Sequence, residues 1–261
     1  MATVEELYGS RIVLNAVLPL VKVIVESKAD LSNRFANKTA NIQISAKDPE
    51  GKVATHFNIQ EGQWTVCKGI HEKPDLELEF SSIASMNAFF SGKSKKLPKI
   101  KGWHNIGLLI AFFKALLSMS SLLAAKEPPS NTGDKELLVK LFFYLLSSGI
   151  SQLNKAGHPD ISKWAGKSPD RVYAWAVTGK PELYAYIRVK AGNSKSARGE
   201  YTRSKPFFTM RFDSVDSALG ILMQKDNMLE STAKGKLIME GGPEYGAQLG
   251  EFMMLVGSYV S

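Results

Sequence analysis

Residues 73–90 of the chain read KPDLELEFSSIASMNAFF, and residues 205–222 read KPFFTMRFDSVDSALGIL. Both segments begin with Lys-Pro, and Phe80 in the first matches Phe212 in the second at an offset of 132 positions. A serine follows each phenylalanine two positions later, and an aliphatic residue follows each serine. A repeat of this kind predicts two similar folding units in this chain of 261 residues.

The repeat extends beyond these two segments. Downstream, LPKIKGWHNIG at 97–107 aligns with KLIMEGGPEYG at 236–246, at an offset of 139 because the second copy has seven extra residues. Upstream, each copy begins with a long apolar pattern of helical period, and KEPPSNTGD at 126–134 has the composition of a linker. We therefore predict a first domain at residues 1–128 and a second at 132–261.

The strands are legible from their alternation. DLELEF at 75–80 places its leucines and its phenylalanine on one face and Glu77 and Glu79 on the other, which predicts a half-buried strand with one wet face. Short turns join the earlier strands, so the sheet is at least partly antiparallel. Helical patterns precede, interrupt and follow the strands, and each copy is therefore predicted to be a two-layer α+β unit with helices on one face of a sheet.

The order of elements in each copy carries a family resemblance. An apolar helix leads to paired strands, then to Lys-Pro with an alternating strand, a short helix begun by serine, a short strand and an apolar helix. This order, most evident in residues 73–113 and 205–242, resembles the sterol carrier protein family of non-specific lipid-transfer domains, in both copies. The resemblance implies two similar two-layer domains, each a roughly five-stranded, mostly antiparallel sheet covered on one face by helices. It also implies an apolar tunnel between sheet and helices that holds a sterol, a fatty acyl chain or a similar lipid. The first copy departs from the family pattern because it is shortened after Lys96.

The most apolar stretch of the chain runs from Ile106 to Ala125 and contains one charge, Lys114. Its length is sufficient to cross a bilayer. The equivalent segment of the second copy contains Gln248 and Glu251 and is amphipathic, which favours a helix packed on a sheet over a membrane span. The first copy has a second apolar stripe on this helix, and its partner could be the sister domain, another subunit, a membrane surface or a lipid.

A ligand site is predicted in each copy where the inner face of the sheet, the short helix after the Lys-Pro strand and the C-terminal helix converge. Phenylalanine and methionine suit a pocket that accepts several ligands, because they offer broad contact and repack easily. The predicted lining in the first copy is Phe80, Met86, Phe89, Phe90, Leu109, Phe112, Phe113 and Leu116. In the second copy it is Phe212, Leu219, Leu222, Met223, Leu249, Phe252, Met253 and Val256.

The charge pattern bears on partners. The chain has a net charge of +8, divided evenly between its halves. The segment SGKSKKLPKIKG at 91–102 has no acidic residue, and it is either a solvated loop or a contact with an anionic membrane surface. Its lysines are Lys93, Lys95, Lys96, Lys99 and Lys101. A homo-oligomer is an alternative partner arrangement. No cluster of arginines interleaved with aromatic residues is present, so nucleic acid is not predicted as a partner.

Chemistry-bearing motifs are missing from the sequence. The four histidines do not have metal-ligand spacing, the single cysteine, Cys67, excludes an intrachain disulfide, and no nucleophile elbow or phosphate-binding glycine loop occurs. We therefore predict no catalytic residue, no metal and no cofactor, and hence no enzyme. The N-terminus MATVEELYGS lacks a basic region before an apolar one, which favours a cytoplasmic protein.

Taken together, the patterns predict a protein that binds and carries lipids or other hydrophobic molecules in apolar tunnels. The alternative is an interaction or assembly module for lipid-handling enzymes, whose tunnels are filled by its own side chains. Lipid extracted from the purified protein would distinguish the two.

Overall fold

The computed structural model describes residues 1–260 and divides the chain into two units. The first unit comprises Met1–Ser120 with residues 258–260, and the second comprises Ser121–Gly257. The predicted domain bounds, 1–128 and 132–261, stay a prediction about pieces that fold by themselves.

The first unit contains one five-stranded sheet. Its strands are β1 (Ala40–Ala46), β2 (Val53–Gln60), β3 (Gln63–Lys68), β4 (Leu76–Phe80) and β5 (Lys99–Lys101). They lie in the order β3-β2-β1-β4-β5, with β1 parallel to β4 and every other neighbouring pair antiparallel. Glu61 and Gly62 both have positive φ, as a two-residue hairpin turn of the favoured hand requires between β2 and β3.

Helices accompany this sheet. They are α1 (Val4–Ile12), α2 (Leu20–Ser27), α3 (Ala29–Phe35), α4 (Ile83–Phe90) and α5 (Ile106–Leu123), with a π-helical segment at Val13–Val17 between α1 and α2. The side chain of Ser82 caps α4 by accepting a hydrogen bond from the backbone of Ser85, which is why the strand β4 gives way to a helix here. The apolar residues of β1, β2 and β4, such as Ile42, Phe57 and Leu76, are buried.

The second unit has a sheet of the same design. Its strands are β6 (Arg171–Val177), β7 (Ala185–Lys190), β8 (Asn193–Arg198), β9 (Phe208–Phe212) and β10 (Leu237–Glu240), in the order β10-β9-β6-β7-β8. Here β6 is parallel to β9 and the other pairs are antiparallel. Ala191 and Gly192 form the positive-φ turn between β7 and β8, at the place that Glu61 and Gly62 occupy in the first unit.

The helices of the second unit are α6 (Thr132–Lys155), α7 (Pro159–Lys167), α8 (Val215–Leu222), α9 (Met228–Ala233) and α10 (Pro243–Ser258), with a 3-10 turn at Pro181–Leu183. Ser214 caps α8 as Ser82 caps α4. The extra residues of the second copy include α9, whereas the first unit has only a loop between α4 and β5. The predicted fold class is thus confirmed: α+β, with two similar sheet-plus-helix units of five strands each.

Within residues 1–260, three helical stretches are long and apolar enough to cross a membrane, judged by length and composition: Val4–Ser27, Ile106–Leu123 and Thr132–Lys155. The first and third are 78% buried within the protein, and the second is 39% buried. The helix α5 therefore differs from the other two in how much of its apolar surface the protein leaves uncovered.

Candidate functional site

In the first unit, the predicted ligand-lining residues form two aromatic clusters. Phe80, Phe89 and Phe90 contact one another with ring centroids 5.3 to 5.9 Å apart. Phe112 packs instead against Phe57 of β2, with centroids 5.8 Å apart. Of the whole set, four residues are buried, namely Phe80, Met86, Phe112 and Leu116. The other four are partly exposed, namely Phe89, Phe90, Leu109 and Phe113.

In the second unit, the corresponding residues pack against bulky side chains that the sequence prediction had not included. Phe212 stacks on Phe143 of α6 with centroids 6.0 Å apart, and Phe252 meets Trp164 of α7 at 5.2 Å. Met253 accepts a hydrogen bond from Trp175 Nε1 at 3.4 Å. Five of the predicted residues are buried, namely Phe212, Leu219, Leu249, Phe252 and Val256. Leu222, Met223 and Met253 are partly exposed.

The first unit also has a cleft of about 370 Å³ between the end of β4, the start of α4 and the loop before β5. Phe80 connects this cleft to the aromatic cluster of Phe89 and Phe90. Sequence reasoning had found Phe80 and the loop lysines separately but had not brought them together. The lining residues are Lys47, Glu79, Phe80, Ser81, Ser85, Lys96, Leu97, Pro98 and Lys99.

A four-membered charge cluster lies beside the cleft. Lys52 Nζ is 2.9 Å from Glu77 Oε1 and 2.6 Å from Glu79 Oε1. Lys101 Nζ is 2.9 Å from Glu77 Oε2 and 2.7 Å from Glu79 Oε1. The face of β4 expected to be wet is therefore buried, with Glu77 and Glu79 only 4% and 5% exposed. The physical reason is that Lys52, from the turn before β2, and Lys101, from β5, fold over the carboxylates.

These contacts decide the charge of the two carboxylates. Burial by itself would raise the pKa of Glu77, but hydrogen bonds from Ser45, Lys101, Lys52 and Gln43 outweigh it and lower the pKa to about 2. Burial would likewise raise the pKa of Glu79. Hydrogen bonds from Lys101 and Lys52 and their positive charges outweigh this effect and lower the pKa to about 2. Both groups are ionised at neutral pH, and two lysines balance them.

The cleft is consequently cationic. Glu79 is the carboxylate that lines the cleft. Lys52 and Lys101 together neutralise the negative charges of Glu77 and Glu79. Lys47 lies 3.6 Å from Glu79 as a further cation. Lys96 and Lys99 line the cleft without a carboxylate partner among residues 1–260.

The loop lysines differ from the sequence expectation at one position. Lys93, Lys95, Lys96 and Lys99 are exposed. Lys101, which was predicted to act with them, is bound to the two buried glutamates. Its ammonium is thereby a structural partner of β4, because the short strand β5 aligns Lys101 with Glu77.

The two apolar stripes of α5 have different surroundings. Leu108, Phe112, Ala115 and Met119 form the buried stripe. Ile106, Ile110 and Leu117 form a stripe that faces solvent, on the opposite side of the helix. Leu109 and Phe113, which were predicted to line a ligand site, flank this outer stripe and are partly exposed.

Comparison with known proteins finds distant likenesses. No known family profile matches the chain. No curated protein matches it either. Among solved structures, one similar fold is that of a conserved hypothetical protein from Thermus thermophilus, named as a candidate sterol carrier protein, at 18% identity and a TM-score of 0.29. The likeness covers 43% of the present chain and 82% of that protein.

A second similar structure is the stereoselective inverting sec-alkylsulfatase Pisa1 from Pseudomonas sp., at 14% identity and a TM-score of 0.27. The likeness covers 59% of the present chain but 28% of the alkylsulfatase. This finding contradicts the prediction that the chain is no enzyme, since the similar structure is that of an enzyme. Likenesses this distant assign neither a reaction nor a ligand to the present chain.

Proposed function

We propose that the chain is a tandem of two sterol-carrier-like domains and that its first unit binds an amphiphilic lipid with an anionic head group, such as a fatty acid. The observation that carries this proposal is the cleft beside Phe80, which joins an aromatic cluster to unbalanced lysines. Its volume of about 370 Å³ lies within the range of small-molecule sites, roughly 300–1,000 Å³.

The cleft offers the two chemistries that an amphiphile needs. An apolar tail gains from leaving water in proportion to the area it buries, at about 25 cal/mol per Å². Phe80, Leu97 and Pro98 are the apolar part of the cleft lining, and the partly exposed rings of Phe89 and Phe90 contact Phe80. A carboxylate or phosphate gains from Lys96 and Lys99, which line the cleft. The charges of Lys96 and Lys99 orient the ligand by its head group. The apolar contacts discriminate little between one tail and another.

The second unit favours the alternative role, that of a module filled by its own side chains. Phe143, Trp164 and Trp175 pack on the positions that were predicted to line a ligand site. We therefore expect ligand binding to belong to the first unit, with the second as a companion domain.

The test is titration of the full-length chain with a fluorescent fatty acid and, separately, with an uncharged fluorescent sterol. The double variant Lys96→Ala/Lys99→Ala should weaken fatty acid binding about fivefold, because it removes two cations worth roughly 1 kcal/mol together at this exposure. The sterol should be little affected.

The matched control is Lys93→Ala/Lys95→Ala, which removes the same charge from the same loop outside the cleft. Equal losses in the two double variants would show a general charge effect and would refute the cleft as the head-group site. A full-length protein that binds neither probe would refute ligand carriage and leave the interaction module.

A further inference from the structure

An exposed apolar surface follows the lysine loop in the first unit. Trp103 is 69% exposed and Leu117 is 64% exposed, and Leu97, Ile106 and Ile110 are exposed as well. We call these five residues the docking surface. Scattered exposed apolar side chains are normal, but a grouping within twenty-one positions, Leu97–Leu117, requires an explanation.

The helical members of the docking surface lie on one side of α5. At about 100° per residue, Ile106, Ile110 and Leu117 fall within an arc of roughly 40°. The opposite side is occupied, since Phe112 packs on Phe57 and Leu108 and Met119 are buried. One face of α5 therefore packs on the protein, and the other face is exposed. This arrangement fits a helix that lies along a membrane surface better than one that crosses the membrane.

The charge around this surface is of one sign. No aspartate or glutamate occurs from Ser81 to Lys126, whereas lysines stand at 93, 95, 96, 99, 101, 114 and 126. Four of the loop lysines are exposed and immediately precede Trp103 in the chain. Tryptophan prefers the boundary between lipid head groups and acyl chains, and lysines gain from anionic head groups close to the membrane surface.

We propose that the docking surface binds the face of an anionic phospholipid bilayer, with α5 parallel to the membrane plane, Trp103 at head-group depth and Lys93, Lys95, Lys96 and Lys99 on the lipid phosphates. A second copy of this chain fits less well, because the same stretch of a partner would present lysines and no carboxylate to these lysines. The proposal stands on the helix and the loop, and it does not depend on whether the cleft binds a fatty acid.

The experiment is co-sedimentation of the full-length chain with vesicles of phosphatidylcholine alone and of phosphatidylcholine with 30% phosphatidylserine. We expect partition onto the anionic vesicles that falls steeply as salt rises from 0.05 to 0.5 M, since screening shortens the reach of the lysines. Ile110→Asp/Leu117→Asp should lower that partition at least tenfold. Lys93→Glu/Lys95→Glu should lower it at least 25-fold, at about fivefold for each lysine lost.

The control for the apolar variant is Leu229→Asp, which places a carboxylate at a leucine of α9 that is even more exposed, at 80%, and should leave partition unchanged. Fluorescence gives a direct readout of depth. Trp64, Trp164 and Trp175 are buried, so quenching by brominated lipid reports on Trp103 and should disappear in Trp103→Phe.

Three results would overturn the proposal. The first is partition of Ile110→Asp/Leu117→Asp equal to that of the parent. The second is equal binding to both kinds of vesicle. The third is a parent that self-associates through this surface, seen as a dimer in sedimentation velocity that the apolar variant abolishes, without vesicle binding. Fatty acid titration without vesicles separates this proposal from the proposed function, because Ile110→Asp/Leu117→Asp changes no residue that lines the cleft and should keep its affinity for fatty acid.

Discussion

Neutralising one buried carboxylate, as in Glu77→Gln, should destabilise the first unit at neutral pH and have almost no effect in strong acid. Glu77 is 4% exposed and accepts hydrogen bonds from Lys52, Lys101, Ser45 and Gln43. Its pKa is lowered from 4.5 to about 2, because those four donors outweigh the effect of burial. Such a lowering corresponds to about 3 kcal/mol of stability, at 1.36 kcal/mol for each pH unit.

The sign follows from the direction of the shift. A carboxyl whose pKa is lower in the folded state stabilises the fold above the pKa of the unfolded chain, 4.5, and this contribution disappears as the pH falls from 4.5 to about 2. Glu79 stabilises the fold over the same pH range. Because both carboxylates share Lys52 and Lys101, their combined contribution to the free energy of unfolding is less than the sum of the two separate contributions. The parent should therefore lose stability steeply between pH 4.5 and pH 2.

The assay is urea unfolding of the parent and of Glu77→Gln at pH 7, 5, 4, 3 and 2. The two proteins should differ by about 3 kcal/mol at pH 7, and the difference should approach zero at pH 2. Glu26→Gln is the control, because Glu26 is half exposed and its pair with Lys22 at 3.6 Å should be worth less than about 0.5 kcal/mol. A separation between parent and Glu77→Gln that is the same at pH 7 and pH 2 would show that the loss comes from packing, and the charge argument would be refuted.

Three further predictions concern the backbone, the core and the second sheet. Gly102→Ala should lower the free energy of unfolding by at least about 2 kcal/mol, because φ is +77° and the new Cβ would lie 2.0 Å from the carbonyl oxygen of Asp75. Gly69→Ala is the control: its φ is similar but its surroundings are open, so thermal unfolding of both variants should show a loss of about 1 kcal/mol for it. Phe112→Ala should cost about 3–5 kcal/mol by removing the ring that packs on Phe57, whereas Ile110→Ala should stay within about 0.5 kcal/mol by urea unfolding. Arg211→Glu should destabilise the second unit by about 1–2 kcal/mol by breaking its pair with Glu240 at 2.7 Å, and Arg211→Glu/Glu240→Arg should restore most of that loss; a double variant no more stable than the single one would count against the pairing.

Much of the fold could be predicted from the sequence, because the pattern of apolar residues within each short segment specifies its secondary structure. Alternation assigned Leu78 and Phe80 to the inner face of β4, and both are buried. The serine before each short helix predicted its start, and Ser82 and Ser214 both cap helices. These features depend on residues within a few positions of one another, and a sequence displays them directly.

The rest depended on contacts between distant residues. Glu77 and Glu79 were expected to face water, and alternation could not reveal that Lys52 and Lys101 would cover them. Both stripes of α5 were visible in the sequence, but the rotation of the helix about its axis is set by where Phe112 meets Phe57. Likewise, no local pattern connects Trp175 with Met253.

The inner faces of the two sheets are alike, and their outer faces differ in the placement of charge. On the inner faces Phe80 and Phe212 are equivalent, and both are buried. On the outer faces the charges are exchanged: Lys101 aligns with Glu77 in the first unit, and Glu240, at the equivalent position, lies beside Thr209 and pairs with Arg211 in the second. Either arrangement neutralises the outer face, so the apolar face determines the fold and leaves the polar face free to vary.

The features behind both proposals belong to the first unit. Its loop between α4 and β5 carries the exposed lysines that line the cleft and precede Trp103. The second unit has the helix α9 in that place, with Leu229 and Glu230 exposed in its first turn. The two units therefore share one sheet-plus-helix design, and the segment between the short helix and the last strand is where they differ most in charge and exposure.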